Sequence, residues 1–339
     1  MKIKAFYLLL IISMSLYSCS NRQSDNENVL GERPEWAIVV HGGAGNITHE
    51  SIPPEKEQEY MDKLKEAIVA GANILDNGGS SLDAVETTIK ILEDCPLFNA
   101  GKGAVFSADG VNEMDASIMD GSNLNAGAVA SVTNIKHPIS AARKVMEKSK
   151  HVMLVKEGAE IFAEEQGIEI VDPSYFYNEK RWHSLQKAKE READKKDDKT
   201  KKSGTVGCVA LDKNENLAAG TSTGGMTNKK YGRVGDSPVI GAGTYANNKS
   251  CGISATGHGE YFIRNVVAYD ISARMVYGGE TLEEAGNNVI NKVLKEQNGS
   301  GGIIALDKNG NVSMPFNTTG MFRGWMKAGG EAEVLIFKD

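Results

Sequence analysis

Residues 203–212 read SGTVGCVALD and follow directly on the charged run 186–202, QKAKEREADKKDDKTKK. Val206 to Leu211 is an apolar, β-branched stretch of the kind that forms a buried strand. It begins at a threonine, at the edge of a segment whose composition cannot build a core. A hydroxyl nucleophile with no histidine beside it needs another base. A threonine at a chain terminus carries one, because an α-amino group has a pKa of about 8 and is substantially neutral at working pH. For Thr205 this requires scission of the Gly204–Thr205 bond, which an exposed linker and a sterically permissive glycine would suit. A Gly-Thr pair before a strand is equally ordinary turn material, so the pair alone leaves both readings open.

Upstream, Trp36 to Val40 is a short β-branched run ending in 41-HGGAG-45, the pattern of a buried strand followed by a glycine loop. Met61, Leu64, Ile68, Ala72 and Leu75 recur at helical spacing up to Gly78-Gly79, and Ser81 is placed to cap a second helix carrying Leu82, Val85, Ile89 and Leu92. Gly103 to Ala130 alternates small and apolar residues, Ala141 to Met146 is helical in pattern, and His151 to Val155 is strand-like. From Trp182 to Lys202 the apolar pattern is lost, which predicts a linker. Beyond it come Val206–Leu211 and Leu217–Ser222 about the turn DKNEN, echoed by Ile303–Leu306 and Val312–Met314 about DKNGN. Both turns open like a calcium loop, but neither has the glycine and glutamate that such a loop needs at its sixth and twelfth positions, so turn chemistry explains them.

The 339 residues carry 38 Lys and Arg against 45 Asp and Glu, a net charge of −7. That balance argues against a nucleic-acid partner, and the lysine-rich run is itself interleaved with Glu190, Glu192, Asp194, Asp197 and Asp198. No phosphate-cradling glycine loop or HExxH helix is present. At the N-terminus, MKIK, the apolar AFYLLLIISMSL and Leu16-Tyr17-Ser18-Cys19 match the three parts of a lipoprotein signal peptide over residues 1–19, with lipid on Cys19. The polar residues 20–35 read as a tether, so the sequence predicts an exported protein held at the periplasmic face of a membrane only through its N-terminal lipid. Cys95, Cys208 and Cys251 remain, an odd number without CxxC spacing, and read as buried thiols rather than a zinc site or disulfides.

Seven segments in one order carry a resemblance: 41-HGGAG-45, 92-LEDCPLFNAGKGAVF-106, 114-MDASIMDG-121, 204-GTVGCVALD-212, 219-AGTSTGGMTNKKYGRVGDSPVIGAG-243, 254-SATGHGE-260 and 301-GGIIALD-307. From about Trp36 to the C-terminus the chain resembles the isoaspartyl peptidase and plant-type L-asparaginase branch of the N-terminal nucleophile (Ntn) hydrolases, a superfamily that includes glycosylasparaginase. The resemblance implies an α+β fold, a four-layer αββα sandwich formed jointly by two autoproteolytic subunits. These would be an α subunit of residues 36–204, with 178–204 a flexible linker at its end, and a β subunit of residues 205–339, together one structural domain and expected to pair as a dimer of αβ heterodimers.

The same resemblance implies that Thr205 is the nucleophile and new N-terminus, with Thr223 hydrogen-bonded beside it and Asn99 positioning it. Arg233, Asp236 and Gly259 match substrate-binding positions. A guanidinium suits an α-carboxylate and a carboxylate suits an α-ammonium, although an Arg–Asp pair three residues apart is more often a surface ion pair. Thr256 and Gly257 match an oxyanion hole, at the start of a helix expected from Glu260 to Tyr277. His258 is read as a loop residue near the pocket, not a base. The backbone carbonyls of Leu92, Glu93, Cys95, Phe98, Ala100 and Lys102 match a sodium loop, with no organic cofactor implied. Two features depart from the family pattern: Ser203, where many members have histidine, and the long charged linker. The expected activity is hydrolysis of β-aspartyl dipeptides and L-asparagine to L-aspartate. Cleavage of the sugar–asparagine bond is the alternative within the class, and an uncleaved amino-acid-binding lipoprotein is the alternative outside it.

Overall fold

Strand β5 (Val206–Leu211) lies in the middle of an eight-stranded sheet and is buried at every residue, which explains its unbroken apolar text. It runs antiparallel between β1 (Ala37–Gly45) and β6 (Leu217–Thr223), with His41 opposite Gly207 and Gly207 opposite Thr221. The computed structural model describes residues 33–194 and 204–338, and Pro34–Asp339 forms one compact unit. Beyond β6 lie β2 (Met114–Asp120), β3 (Ala126–Val132) and the short β4 (Met153–Val155), and beyond β1 lie β11 (Gly320–Lys327) and β12 (Glu333–Phe337). Only the β3–β4 pairing is parallel. A second sheet of four antiparallel strands has the order β10 (Val312–Ser313), β9 (Gly301–Asp307), β8 (Cys251–Gly257), β7 (Thr244–Ala246).

The alternation along the strands sorts the core into layers. Ala37, Val39, Val209, Leu211 and Ala219 meet Ile304, Leu306 and Met321 between the two sheets. Their neighbours Ile38, Val40, Val206, Cys208 and Ala210 face the other way, onto α1 (Pro54–Asp76) and α2 (Ser81–Glu93) through Leu64, Ile68, Leu75, Val85, Ile89 and Leu92. Ile253, Ala255 and Ile303 turn outward onto the C-terminal helices through Phe262, Ile271 and Leu294. The result is the expected α+β, four-layer αββα sandwich. Cys95, Cys208 and Cys251 are buried free thiols. The two echoed turns are held by Asp212 and Asp307, whose Oδ1 atoms each accept two backbone N–H groups, at 2.9 and 3.0 Å from Asn214 and Asn216 and at 2.8 and 2.9 Å from Asn309 and Asn311.

Four local expectations are corrected. HGGAG is not a loop: β1 runs through it to Gly45, with a bulge between His41 and Gly43, because neighbouring backbone lies where side chains would be. The cap of α2 is Ser80, which accepts from Asp83 N–H, and Ser81 is the first helical residue. The helix expected from Glu260 to Tyr277 is two, α6 (Gly259–Asn265) and α7 (Val267–Gly278), broken at Val266 with φ of 48°. Most consequentially, the first part of the 178–204 linker is a helix, α5 (Glu179–Ala193), capped by Asn178. Its exposed faces hide its anchors: Leu185 is buried, Trp182 packs edge-on to Phe106 at 5.2 Å, and Arg181 donates to the carbonyls of Gly103 and Leu97. Residues 195–203 lie outside the described ones, as does Cys19 with the rest of the N-terminal segment.

Candidate active site

Thr205 stands at the start of β5, almost wholly buried, with its Oγ1 3.0 Å from Thr223 Oγ1 at the end of β6 and 2.8 Å from the carbonyl oxygen of Gly204. That carbonyl accepts from Asn99 Nδ2 at 2.7 Å and from Thr223 Oγ1 at 3.2 Å. Asn99 is itself fixed: Nδ2 also donates to Gly225 O at 2.8 Å, and Oδ1 accepts from Val105 N–H at 2.9 Å, which determines the orientation of its amide. The Gly204 carbonyl oxygen is thus polarised by Asn99 and lies within hydrogen-bond distance of the hydroxyls of both Thr205 and Thr223.

The bulge of β1 lies against the same bond. Gly43 has φ of 110°, and a Cβ there would lie 2.8 Å from Gly204 Cα and 3.1 Å from Thr205 N, so only glycine lets the backbone come this close. The next residue, Ala44, donates its N–H to Thr256 Oγ1 at 3.3 Å. Successive residues of β1 thus touch the candidate nucleophile and the candidate oxyanion donor. Because the Thr256 oxygen is the acceptor here, its hydroxyl hydrogen is left to donate. Gly257 has φ of 154°, and a Cβ on it would meet Ser300 O at 2.5 Å.

His41, the first residue of HGGAG, has no part in the site expected from the sequence. It is fully buried, with Nδ1 3.0 Å from Thr205 O and Nε2 2.9 Å from Ser254 Oγ. Burial drives its pKa down to about 3, so the ring is neutral, with Nδ1–H donating and Nε2 accepting. Behind it a chain of buried hydroxyls runs Ser254, Thr221, Thr244, Ser117, at 2.6, 2.6 and 2.8 Å, and Ser117 also reaches Ser237 O at 2.6 Å. The chain ties the carbonyl of Thr205 to the loop that carries Asp236. A histidine interrupting an apolar run was the available signal, but Ser254 is 213 residues away.

Arg233, Asp236 and Gly259 converge. A Cβ on Gly259 would lie 2.8 Å from Asp236 Oδ1 and 2.9 Å from Arg233 Nη2, so both side chains lie against that glycine. Asp236 is buried, its Oδ2 makes no hydrogen bond, and burial raises its pKa to about 7. One oxygen of a buried carboxyl is thus left without a donor close to a guanidinium, a pairing whose charges are complementary to those of an amino acid. Arg233 is held from one side by Glu260, whose other close partner is His258 Nε2 at 3.2 Å. The surface-pair reading therefore fails for Asp236, which is buried, while the ion pair Arg233 does make is with Glu260.

The loop after α2 folds back so that a Cβ on Gly101 would strike Glu93 O at 2.2 Å and one on Gly103 would strike Phe98 O at 1.8 Å. Both glycines thus let the neutral backbone carbonyls of Glu93 and Phe98 close in on the loop, and neutral carbonyl oxygens are the kind of donor a hard cation takes. The side chain of Glu93, buried and pushed up in pKa by that burial, accepts from Ser222 Oγ at 2.6 Å and Ile139 N–H at 3.1 Å. This links the loop to the residue preceding Thr223. No cluster of His, Cys, Asp and Glu side chains among the described residues could hold a metal.

A family model described as Asparaginase matches residues 34–336. The chain is 50% identical over 308 residues to the isoaspartyl peptidase of Salmonella typhimurium, covering 89% of this chain and 98% of that one. It is 49% identical to the isoaspartyl peptidase of Escherichia coli, over 89% and 96% of the two chains. It is also 44% identical to the plant-type L-asparaginase of Pyrococcus furiosus, over 86% and 97%. These matches overturn one expectation, that of an exported, lipid-anchored protein at the periplasmic face. Nearly the whole of the Salmonella and E. coli relatives is accounted for with nothing in the match that points to export or an anchor, and the family match begins only at residue 34. No described helix is long and apolar enough to cross a membrane. The expected localisation at the periplasmic face is therefore withdrawn, while the signal peptide expected over residues 1–19 lies outside both the family match and the described residues.

Proposed function

The chain belongs to the asparaginase family of Ntn hydrolases, and from that premise we propose that it is an autocleaving amidohydrolase that releases L-aspartate from β-aspartyl dipeptides and L-asparagine. The observation that carries the reading is the Gly204 carbonyl, held at 2.7 Å by Asn99 with the Thr205 hydroxyl 2.8 Å from its oxygen.

Maturation begins when Thr205 Oγ adds to the Gly204 carbonyl carbon, with the developing negative charge taken by Asn99 Nδ2 and Thr223 Oγ1. The hydroxyl proton passes to the Thr205 nitrogen as the C–N bond breaks, leaving an ester. Water hydrolyses that ester, giving a carboxylate on Gly204 and a free α-amine on Thr205. The α and β subunits so formed share the sheets on both sides of the cut and stay together, and two such pairs are expected to associate as a dimer. In hydrolysis the Thr205 amine takes the proton of its own hydroxyl, and Oγ attacks the side-chain carbonyl of the substrate. Arg233 holds the α-carboxylate, and Asp236, beside Gly259, holds the α-ammonium. Thr256 Oγ–H and Gly257 N–H take the oxyanion, and the Thr205 ammonium protonates the departing nitrogen. Water then frees aspartate from the aspartyl ester. No organic cofactor takes part. A sodium ion on the carbonyls of Leu92, Glu93, Cys95, Phe98, Ala100 and Lys102 would supply a fixed charge that holds the loop bearing Asn99. The relatives' names favour the isoaspartyl branch over sugar–asparagine cleavage.

The test is an intact-mass measurement on purified protein incubated without protease, followed by aspartate release from β-aspartyl-leucine, asparagine and glycosylasparagine. A small subunit starting at Thr205 and faster release from the first two substrates are expected. An intact chain, or glycosylasparagine consumed fastest, overturns the corresponding part.

A further inference from the structure

The leaving nitrogen of a substrate must reach the α-amine of Thr205, which is its proton donor, and that nitrogen faces Gly43. Gly43 and Gly204 line a cavity of about 120 Å³, about eight times the ~15 Å³ that one water needs on the same measure. Because Gly43 both lies against Thr205 N and lines the cavity, the cavity begins beside the atom that a leaving residue must meet.

The lining is one-signed. Lys56, Lys180 and Arg181 contribute to it and, among the described residues, no Asp or Glu does, in a chain whose net charge is −7. Lys56 shares its charge with Glu59 at 2.6 Å. Arg181 does not share its charge: Nε and Nη2 donate to the carbonyls of Gly103 and Leu97 at 2.8 and 3.2 Å, and among the described residues it makes no ion pair. A partly buried guanidinium satisfied by neutral oxygens alone retains its attraction for an anion. The remainder of the wall is apolar, with Tyr60 stacked on Phe322 at 4.3 Å and Phe98 edge-on to both.

We propose that this cavity is the subsite for the leaving residue of a β-aspartyl dipeptide: its cations take that residue's free α-carboxylate and its aromatic wall takes the side chain. The assignment rests on the hydrolase reading above. It explains how a site whose Arg233 and Asp236 see only the aspartyl half can still prefer dipeptides to asparagine, whose leaving ammonia reaches none of these groups. The new carboxylate of Gly204 has the same chemistry, and the experiment separates the two sources.

Matured wild-type protein, Lys180→Gln and Arg181→Gln are assayed on β-aspartyl-leucine, β-aspartyl-leucinamide and asparagine. Wild type is expected to favour the free acid over the amide by about tenfold in kcat/KM, mainly through KM, as a charge-assisted contact predicts. Each substitution is expected to shrink that ratio severalfold. Arg181→Lys, which keeps the charge, should retain it even if the lost carbonyl contacts lower the yield of folded protein. Equal use of acid and amide by wild type overturns the subsite. So does a loss of the same size on all three substrates, which would place the Gly204 carboxylate or a purely structural role there. Failure of matured protein to turn over any of the three overturns the hydrolase reading instead.

Discussion

Arg233 donates from Nε and Nη2 to the two carboxylate oxygens of Glu260, each at 3.0 Å. This clasp takes one edge of the guanidinium and leaves Nη1 on the side of Gly225 and Gly235, whose Cβ positions lie 3.7 and 2.9 Å from it. Glu260 thereby fixes the plane in which Arg233 offers its remaining N–H groups to a carboxylate. Glu260→Gln is expected to raise KM about three- to tenfold with kcat little changed, since a half-exposed pair is worth about 1 kcal/mol. Arg233→Ala should cost more, about 1.5–3 kcal/mol in kcat/KM. Both variants should still mature, because neither side chain touches Gly204. Initial-rate kinetics with mass analysis checks this, and loss of maturation in either variant would make the pair structural.

Asp236 sets a pH dependence whose sign is fixed by its environment. Burial raises its pKa to about 7, so below that pH the free site holds a neutral carboxyl that cannot pair with an ammonium. Affinity for L-aspartate, measured as a competitive Ki, should strengthen as pH rises through about 7 and then level off. The steepest slope expected is tenfold per pH unit. His41, depressed to about 3, contributes nothing to this window. A Ki that stays flat between about pH 5.5 and 8.5 would show that Asp236 is ionised throughout and that its environment is better solvated than its burial implies.

Thr205→Ala should remain a single chain with no hydrolytic activity, because one hydroxyl serves both steps. Gly43→Ala tests the backbone instead. Its Cβ would sit 2.8 Å from Gly204 Cα at a φ of 110°. It is expected to lower stability by about 1–3 kcal/mol and to slow cleavage while leaving Thr205 in place. Thermal melts and a time course of subunit appearance measure the two effects separately. Cleavage at the wild-type rate would show that the close approach of the bulge has no part in maturation.

The limits of β5 were legible because its two faces are buried against different layers, so its apolar text is continuous. HGGAG misled because glycine usually marks a turn, whereas here it lets β1 lie against Gly204 and Phe98. Helix α5 was hidden for the opposite reason: its fixed points are Leu185, Trp182 and two carbonyl contacts from Arg181, too few to write an apolar stripe. The hydroxyl chain from Ser254 to Ser117 joins strands of both sheets, and serines and threonines that bond across such distances in sequence look like surface residues until the sheets are stacked.

The carbonyl loop gives the last expectation. Its glycines 101 and 103 hold Glu93 O and Phe98 O where a Cβ would otherwise be, and the side chain of Glu93 reaches Ser222 on β6. A cation bound there stabilises the folded chain by mass action, by about 2.7 kcal/mol at a hundredfold excess over its Kd. Replacing sodium chloride with choline chloride at equal ionic strength should therefore lower Tm by a few degrees. Gly103→Ala should start from a lower Tm, because its Cβ would lie 1.8 Å from Phe98 O, and should lose the difference between the two salts. Because the loop also carries Asn99, which holds the Gly204 carbonyl, the sodium-free protein should mature more slowly as well. Identical melting curves in the two salts for wild type would mean that the cradle is closed by its own backbone and takes no ion.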